Sequence, residues 1–325
     1  MHGLTLLGDA LPLQVADTEL ADVGPFRVQL RILGTSETDK GERIWQFTHQ
    51  GERSYSHYYL NRLAEAYTLT VDSHSQCGFR YTSDAIEILQ SSVDHAWFDQ
   101  LNGIGLAVWL EMRGVPCIHA TVLSIEGRAV GLVGRSGVGK STLAAALLSR
   151  GASFLSEDML ALHELDGRPA AFPGLQSLQL WPDALDALDM PAAHHWQRVV
   201  PGFEKRLIPV SHFEAGCGGN APVILDSLFL LDRAQKGVQP AISGLGFIDA
   251  SMMLVIHSSS LDIPRVLRLE QQRFERCAGI VRGIFCKKLT FPTDLSCVDR
   301  LCALIEAEVS QSGASVVSPA QQAAR

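Results

Sequence analysis

The chain has 325 residues, of which 46% are hydrophobic and 19% charged, a composition that supports a full globular core rather than a solvated, low-complexity chain. A formal net charge of -8, with no cluster of Lys and Arg, argues against a nucleic-acid partner, because phosphate backbones are held by grouped cations. The stretch from Met1 to Leu13 lacks the basic and apolar regions of a secretory signal, and no apolar run reaches the roughly 18 to 20 residues that span a bilayer, so a soluble, cytoplasmic protein with no membrane partner is expected. Seven scattered cysteines, Cys77, Cys117, Cys217, Cys277, Cys286, Cys297 and Cys302, show no CxxC spacing and read as reduced thiols.

From Leu4 to about Gln90, short apolar runs (Phe26 to Leu33, Ile44 to Phe47, Tyr67 to Val71, Ala85 to Leu89) alternate with Gly, Asp and Ser clusters. They predict antiparallel strands in an N-terminal region, residues 1–93. Between Asp94 and Arg113 the apolar residues fall at helical spacing, with Asp94 as N-cap and Gly114 as stop, which predicts a bridging helix over residues 94–114. Val115 to Ile125 and Arg128 to Val133 predict two strands turned at Glu126 and Gly127. A helix from Lys140 to Arg150 and a strand from Ala152 to Ser156 follow, then a further apolar run, Met159 to Leu162. Beyond them, Leu178 to Trp181, Arg206 to Val210, Val223 to Asp232 and Ile284 to Phe291 read as strands. Pro182 to Leu188, Ala250 to Ile256, Pro264 to Arg282 and Leu295 to Val309 read as helices. Residues 115–310 thus form an α/β domain. Ser211 to Ala221 and the tail, residues 311–325, read as mobile.

Gly134-Arg135-Ser136-Gly137-Val138-Gly139-Lys140-Ser141, followed by Thr142, satisfies the phosphate-loop pattern, and a strand before it with a helix after it supplies the confirming context. The glycines let backbone amides face phosphate oxygens, Lys140 supplies a cation for the β and γ phosphates, and the Ser141 hydroxyl is placed to ligate Mg. ATP and Mg are therefore the expected cofactors. Arg135 is placed either to touch phosphate or substrate or to stand in solvent.

A second carboxylate for Mg has two candidate sources. Asp226 and Asp232 lie on a distant apolar strand, whereas Glu157 and Asp158 end the strand that follows the phosphate-loop helix. If that strand runs parallel to the one before the loop, its end lies on the loop's edge of the sheet, which favours the near pair. Such a pair can divide labour, one carboxylate holding Mg and the other taking a proton from an acceptor hydroxyl. Asp158 and Ser141 are the expected metal ligands, and either acid remains eligible as base. His119 lies inside an apolar strand, where a histidine is commonly a bonded core residue. Lys205 and Arg206 are adjacent, so on a strand only one of them reaches phosphate. His194, His195 and His257 read as surface or packing residues.

Cys117-Ile-His119, the loop at 134–142 and the run Arg150 to Asp158 resemble the catalytic domain of HPr kinase/phosphorylase over roughly Val115 to Leu162. Phe172 to Leu175, Leu180 to Leu185 and Lys205 to Leu207 resemble a divergent branch that includes lasso-peptide precursor serine kinases. The resemblance implies an HPr-kinase-like, PEP carboxykinase-like mixed-sheet fold and ATP-dependent phosphorylation of a serine on a peptide or small protein, by an enzyme able to form a homo-oligomer. It assigns Lys140 and Ser141 to the nucleotide, Glu157 and Asp158 to the acidic pair, and His119 to the neighbourhood of the phosphates. Glu157 replaces the family's first Asp, and the E-x-R-G-type signature of phosphorylase activity has no counterpart, so the expected activity is that of a kinase only. A nucleotide-gated binding module and a small-molecule kinase are the competing readings.

Overall fold

The computed structural model describes residues 1–2, 4–7, 26–34, 41–50, 55–73, 76–90, 96–199, 204–213, 219, 221–293 and 297–314. The N-terminal strands are β1 (Leu4–Leu7), β2 (Phe26–Gly34), β3 (Glu42–Gln50), β4 (Tyr55–Arg62), β5 (Tyr67–Asp72), β6 (Gln76–Tyr81) and β7 (Ala85–Gln90), in the sheet order β1-β2-β7-β6-β5-β4-β3. Strands β3 to β7 form the expected antiparallel meander, but β2 pairs in parallel with both β1 and β7. The all-antiparallel expectation fails there because β7 returns beside β2 only after the intervening meander, a long-range pairing with no local signature.

The bridging segment is not one helix. It consists of α1 (Ala96–Gln100), a π segment (Leu101–Gly105) and α2 (Leu106–Glu111), kinked at Gly103, whose φ of -90° and ψ of -107° leave the helical region. Asp94, its expected N-cap, lies outside the described residues, as do Cys217, part of the Gly-rich stretch (214–218 and 220), and 315–325 of the expected tail. No disulfide joins the described cysteines.

The second sheet is built around β9 (Ala120–Ile125) and β10 (Arg128–Val133), whose hairpin turns at Glu126 and Gly127 with φ of 51° and 76°, the positive pair a two-residue turn requires. β8 (Cys117–Ile118) is separated from β9 at His119, so the expected run from Val115 is broken. After α3 (Lys140–Ser149), β11 (Ser153–Ser156) pairs antiparallel with β9, which itself runs antiparallel to β10; β10 and β11 therefore point the same way. Next come β12 (Leu160–Ala161), β13 (His163–Leu165), β14 (Arg168–Ala171), β15 (Ser177–Leu180), α4 (Pro182–Ala187) and β16 (Arg206–Pro209). β17 (Val223–Ala234) runs parallel to β10 on one side and to β19 (Phe285–Pro292) on the other, and β18 (Ala241–Gly244) pairs with β19. The remaining helices are α5 (Phe247–Ile256), α6 (Ile263–Val266), α7 (Glu270–Val281) and α8 (Val298–Ala314). The single helix expected from Pro264 to Arg282 is thus two, broken where Arg268 takes a φ of 58°. The last helix runs into the stretch expected to be tail.

Strand alternation sets the layers. Val130 and Leu132 of β10, with Leu123 and Ile125 of β9, pack on Leu143 and Leu147 of α3 and on Leu301 and Ile305 of α8. Ala129 and Val133, with Ala120 and Val122, pack on Met253 and Leu254 of α5 and Cys277 and Ile280 of α7. The N-terminal sheet forms its own core against α1 and α2 through Phe79, Ile86, Trp97, Leu101 and Leu110. No helix among the described residues is long and apolar enough to cross a membrane.

A buried polar node joins these layers. Glu111 Oε1 accepts from Arg273 Nε at 2.9 Å, from Ser260 Oγ at 3.1 Å and from the Cys117 amide at 2.9 Å, while Arg273 Nη2 donates to the Leu254 and Cys117 carbonyls. Removing one member strands the other's charge away from water, so Glu111→Ala should destabilise the fold by about 3–5 kcal/mol. Urea denaturation checks this; a loss below about 1 kcal/mol would show that the node is not structural.

Candidate active site

The loop after β10 curls at Gly137 and Gly139, with φ of 78° and 110°, conformations that side chains with a Cβ rarely adopt. Lys140 therefore opens α3 while its side chain folds back under the loop, donating to the carbonyls of Gly134 at 3.0 Å and Arg135 at 3.2 Å and to His119 Nε2 at 2.9 Å. Arg135 and Ser136 are exposed on the loop, whereas Val138 packs inward on the helix core and Thr142 is half-buried in the first turn of α3. Burial lowers the Lys140 amine to about 8, with Asp158 opposing the shift.

The direction shared by β10 and β11 brings Glu157 and Asp158 to the loop's edge of the sheet. Glu157 Oε1 accepts from Ser141 Oγ at 2.6 Å and its Oε2 accepts from the Gln179 amide at 2.6 Å. Burial and the neighbouring Asp158 push the Glu157 carboxyl up to about 8. Asp158 is turned the other way by a tight turn: its φ is 62°, and the Met159 amide donates to the Glu157 carbonyl at 2.8 Å. Its side chain is 39% exposed and opens on a cleft. Burial alone would raise the Asp158 carboxyl, but Lys205, His119 and Lys140 hold it below its ordinary value. The two adjacent acids are thus driven apart in proton affinity.

His119 sits at the break between β8 and β9 because its backbone is taken by another segment: its amide donates to the His257 carbonyl at 2.7 Å, and the Ser259 amide donates to Cys117 at 2.9 Å. Burial and Lys140 lower the imidazole to about 4, so it is neutral near pH 7. A neutral ring that accepts from Lys140 at Nε2 carries its proton on Nδ1, which donates to the Asp158 carbonyl at 3.1 Å. Lys205 acts electrostatically on both carboxylates, and its Nζ lies 5.8 Å over the Trp181 ring. Arg206 points elsewhere, bonded to the His194 carbonyl and the Glu204 carbonyl. Asp226 lies toward the opposite edge, since its neighbour Leu225 pairs with Ala129 at the start of β10; Asp232 is engaged by Lys288 at 2.7 Å.

The carboxylate touching Ser141 is therefore Glu157 and not Asp158. Among the described residues no three His, Cys, Asp or Glu side chains are grouped to hold a metal alone. Mg is commonly held by one or two protein oxygens together with substrate phosphates; the Ser141 hydroxyl and the Glu157 carboxyl are oxygen donors of that kind, and a buried carboxyl driven toward protonation is the kind of group a cation would return to its ionised form.

Several residues that sequence reasoning passed over complete the site. The cleft, of about 450 Å³, runs from Gly134, Arg135, Ser136 and Asp158 to Phe47 and Tyr58 of the N-terminal sheet and to Asp99 of α1. His257, read from sequence as a surface or packing residue, also lines it. A Cβ on Gly139 would lie 3.4 Å from Arg233 Nη2, which places that exposed guanidinium over the loop. Only the Asp232-Arg233 pair at the end of an apolar strand could have pointed there.

Because the folded Glu157 value lies above the ordinary 4.5, the stability it contributes is fully present below about 4.5 and lost as pH rises through about 8. The urea midpoint of the metal-free protein should therefore fall more between pH 5 and pH 8.5 than that of Glu157→Gln. Equal falls would contradict the buried, proton-retaining state.

No family model and no curated protein matches the chain. Among solved structures it is similar to the Hpr(Ser) kinase/phosphatase from Coxiella burnetii, with 16% identity over 60% of this chain and 94% of that chain, at a TM-score of 0.34. At that level of overlap the likeness fixes no residue's role.

Proposed function

We propose that the chain is an ATP- and Mg-dependent kinase that transfers the γ-phosphate to a serine hydroxyl of a peptide or small protein, and that it works in the forward direction only. The observation that carries this reading is the split of two consecutive carboxylates: Glu157 accepts from the phosphate-loop Ser141 at 2.6 Å, while Asp158 opens on the adjoining cleft. The loop amides and Lys140 bind the phosphates, and Ser141 with Glu157 would hold Mg. When bound, Mg neutralises phosphate charge during transfer. Asp158, kept ionised by Lys205 and Lys140, accepts the proton of the acceptor hydroxyl as its oxygen attacks the γ-phosphorus and the bond to the departing ADP breaks. His119 positions both partners, taking a hydrogen bond from Lys140 and giving one to the Asp158 main chain. The narrower form of the proposal, a serine of a lasso-type precursor peptide, rests on the motif resemblance at 172–175, 180–185 and 205–207.

Incubation with labelled ATP and seryl peptides tests the reading. Lys140→Ala should abolish transfer while leaving the fold intact, and Asp158→Asn should lower kcat by about 10²–10⁴. Lys205→Met should lower transfer by about tenfold or more through lost charge balance, whereas Arg206→Met should register in stability instead. Asp226→Asn should stay within about twofold of the wild type. Label on a metabolite instead of a peptide would identify a small-molecule kinase; nucleotide binding without any transfer would identify a gated module. A critical Asp226 with a dispensable Asp158 would overturn the assignment of the carboxylates.

A further inference from the structure

The acceptor end of the cleft has a chemistry that phosphoryl transfer to a hydroxyl does not by itself require. Phe47 of β3 and Tyr58 of β4 are directly opposed across the two strands, with ring centroids 6.2 Å apart, and Trp45 stacks on Phe47 at 6.1 Å. The Phe47 and Tyr58 rings form an aromatic wall of the cleft. Asp99 enters the same cleft from α1, and no hydrogen bond or ion pair holds its carboxyl among the described residues. Burial and the charge of Asp158 raise Asp99 to about 6, which leaves it mostly ionised at neutral pH. Among the described residues, the lining side chain with a permanent positive charge is Arg135, which belongs to the phosphate loop; His49, His119 and His257 are the other basic groups there, and burial lowers both His119 and His257. Among the described residues the acceptor end therefore presents carboxylates and aromatic faces without a lining cation.

Both features favour the same kind of guest. An ammonium or guanidinium pairs with a half-buried carboxylate and is attracted to the face of an aromatic ring. An adenine could stack on the rings but brings no positive charge for Asp99, and the cleft meets the phosphate loop only at residues 134–136, beside Asp158 and His119. We propose that the acceptor carries a positively charged group next to its hydroxyl, and that Asp99 with Phe47 and Tyr58 forms the subsite that binds it. This rests on the kinase reading and narrows its substrate class to cationic hydroxyl acceptors.

The test is calorimetric titration of the full chain, saturated with Mg-ADP, using three hexapeptides that place lysine, norleucine or glutamate beside the same serine. The lysine peptide should bind at least about tenfold more tightly than the norleucine peptide, and the glutamate peptide most weakly. Asp99→Asn should bring the lysine-to-norleucine ratio close to 1, and Phe47→Leu should reduce it. Equal binding of the lysine and norleucine peptides, a ratio that survives Asp99→Asn, or no binding of any peptide would overturn the inference. Phe47→Leu weakening ADP instead of the peptides would assign the wall to the nucleotide base and likewise overturn it. Failure of the kinase reading is separate and visible in the same titrations as an absence of Mg-ADP binding.

Discussion

The hydrogen bond from Ser141 Oγ to Glu157 Oε1 ties the first turn of the helix behind the glycine-rich loop to the end of the outer strand. Its existence follows from topology: one antiparallel strand, β9, stands between β10 and β11, so the strand that leads into the loop and the strand that carries the acids end on the same edge. Burying a carboxylate there costs free energy unless a positive charge or donors meet it. Here the donors are a hydroxyl and the Gln179 amide, and the lysines act at longer range. Glu157 is consequently left short of compensation, a condition that the Mg of the proposed reaction would relieve.

Asp158 solves a different problem. A single left-handed residue reverses the chain so that neighbouring acids face opposite sides of the loop. Such a conformation costs of order 1–3 kcal/mol and persists only where the surroundings hold it. The Asp158 carbonyl is held by the His119 ring and, at 3.4 Å, by Ser259 Oγ. His119 and Ser259 are held in turn by the segment that Glu111 and Arg273 fix through Ser260, Cys117 and Leu254. The orientation of the acid toward the cleft thus depends on a buried ion pair in another layer of the fold.

Much of this site was legible in the sequence because its parts are local. The glycine spacing, the Glu126-Gly127 turn and the placement of two acids one helix and one strand after the loop are all short-range signals. Adjacent Lys205 and Arg206 had to point apart, and they do. What escaped was set by distant chain: the break in the strand at His119 comes from the 257–259 segment, and the parallel pairing of β2 comes from β7. Asp99, Phe47 and Tyr58 reach the cleft only through the packing of the N-terminal sheet and the kink at Gly103. That Glu157 is the acid that meets Ser141 also escaped the sequence, since the sign of one backbone angle decides which of two neighbours turns inward.

The central claim is the division of labour between those two carboxylates. A crystal structure with Mg and a non-hydrolysable ATP analogue tests it most directly. The account predicts phosphates in the loop against Lys140, the metal ligated by Ser141 Oγ and Glu157, and the γ-phosphate facing Asp158 across the cleft. A metal held by Asp158 with Glu157 turned away, or a nucleotide bound outside the loop, would contradict it.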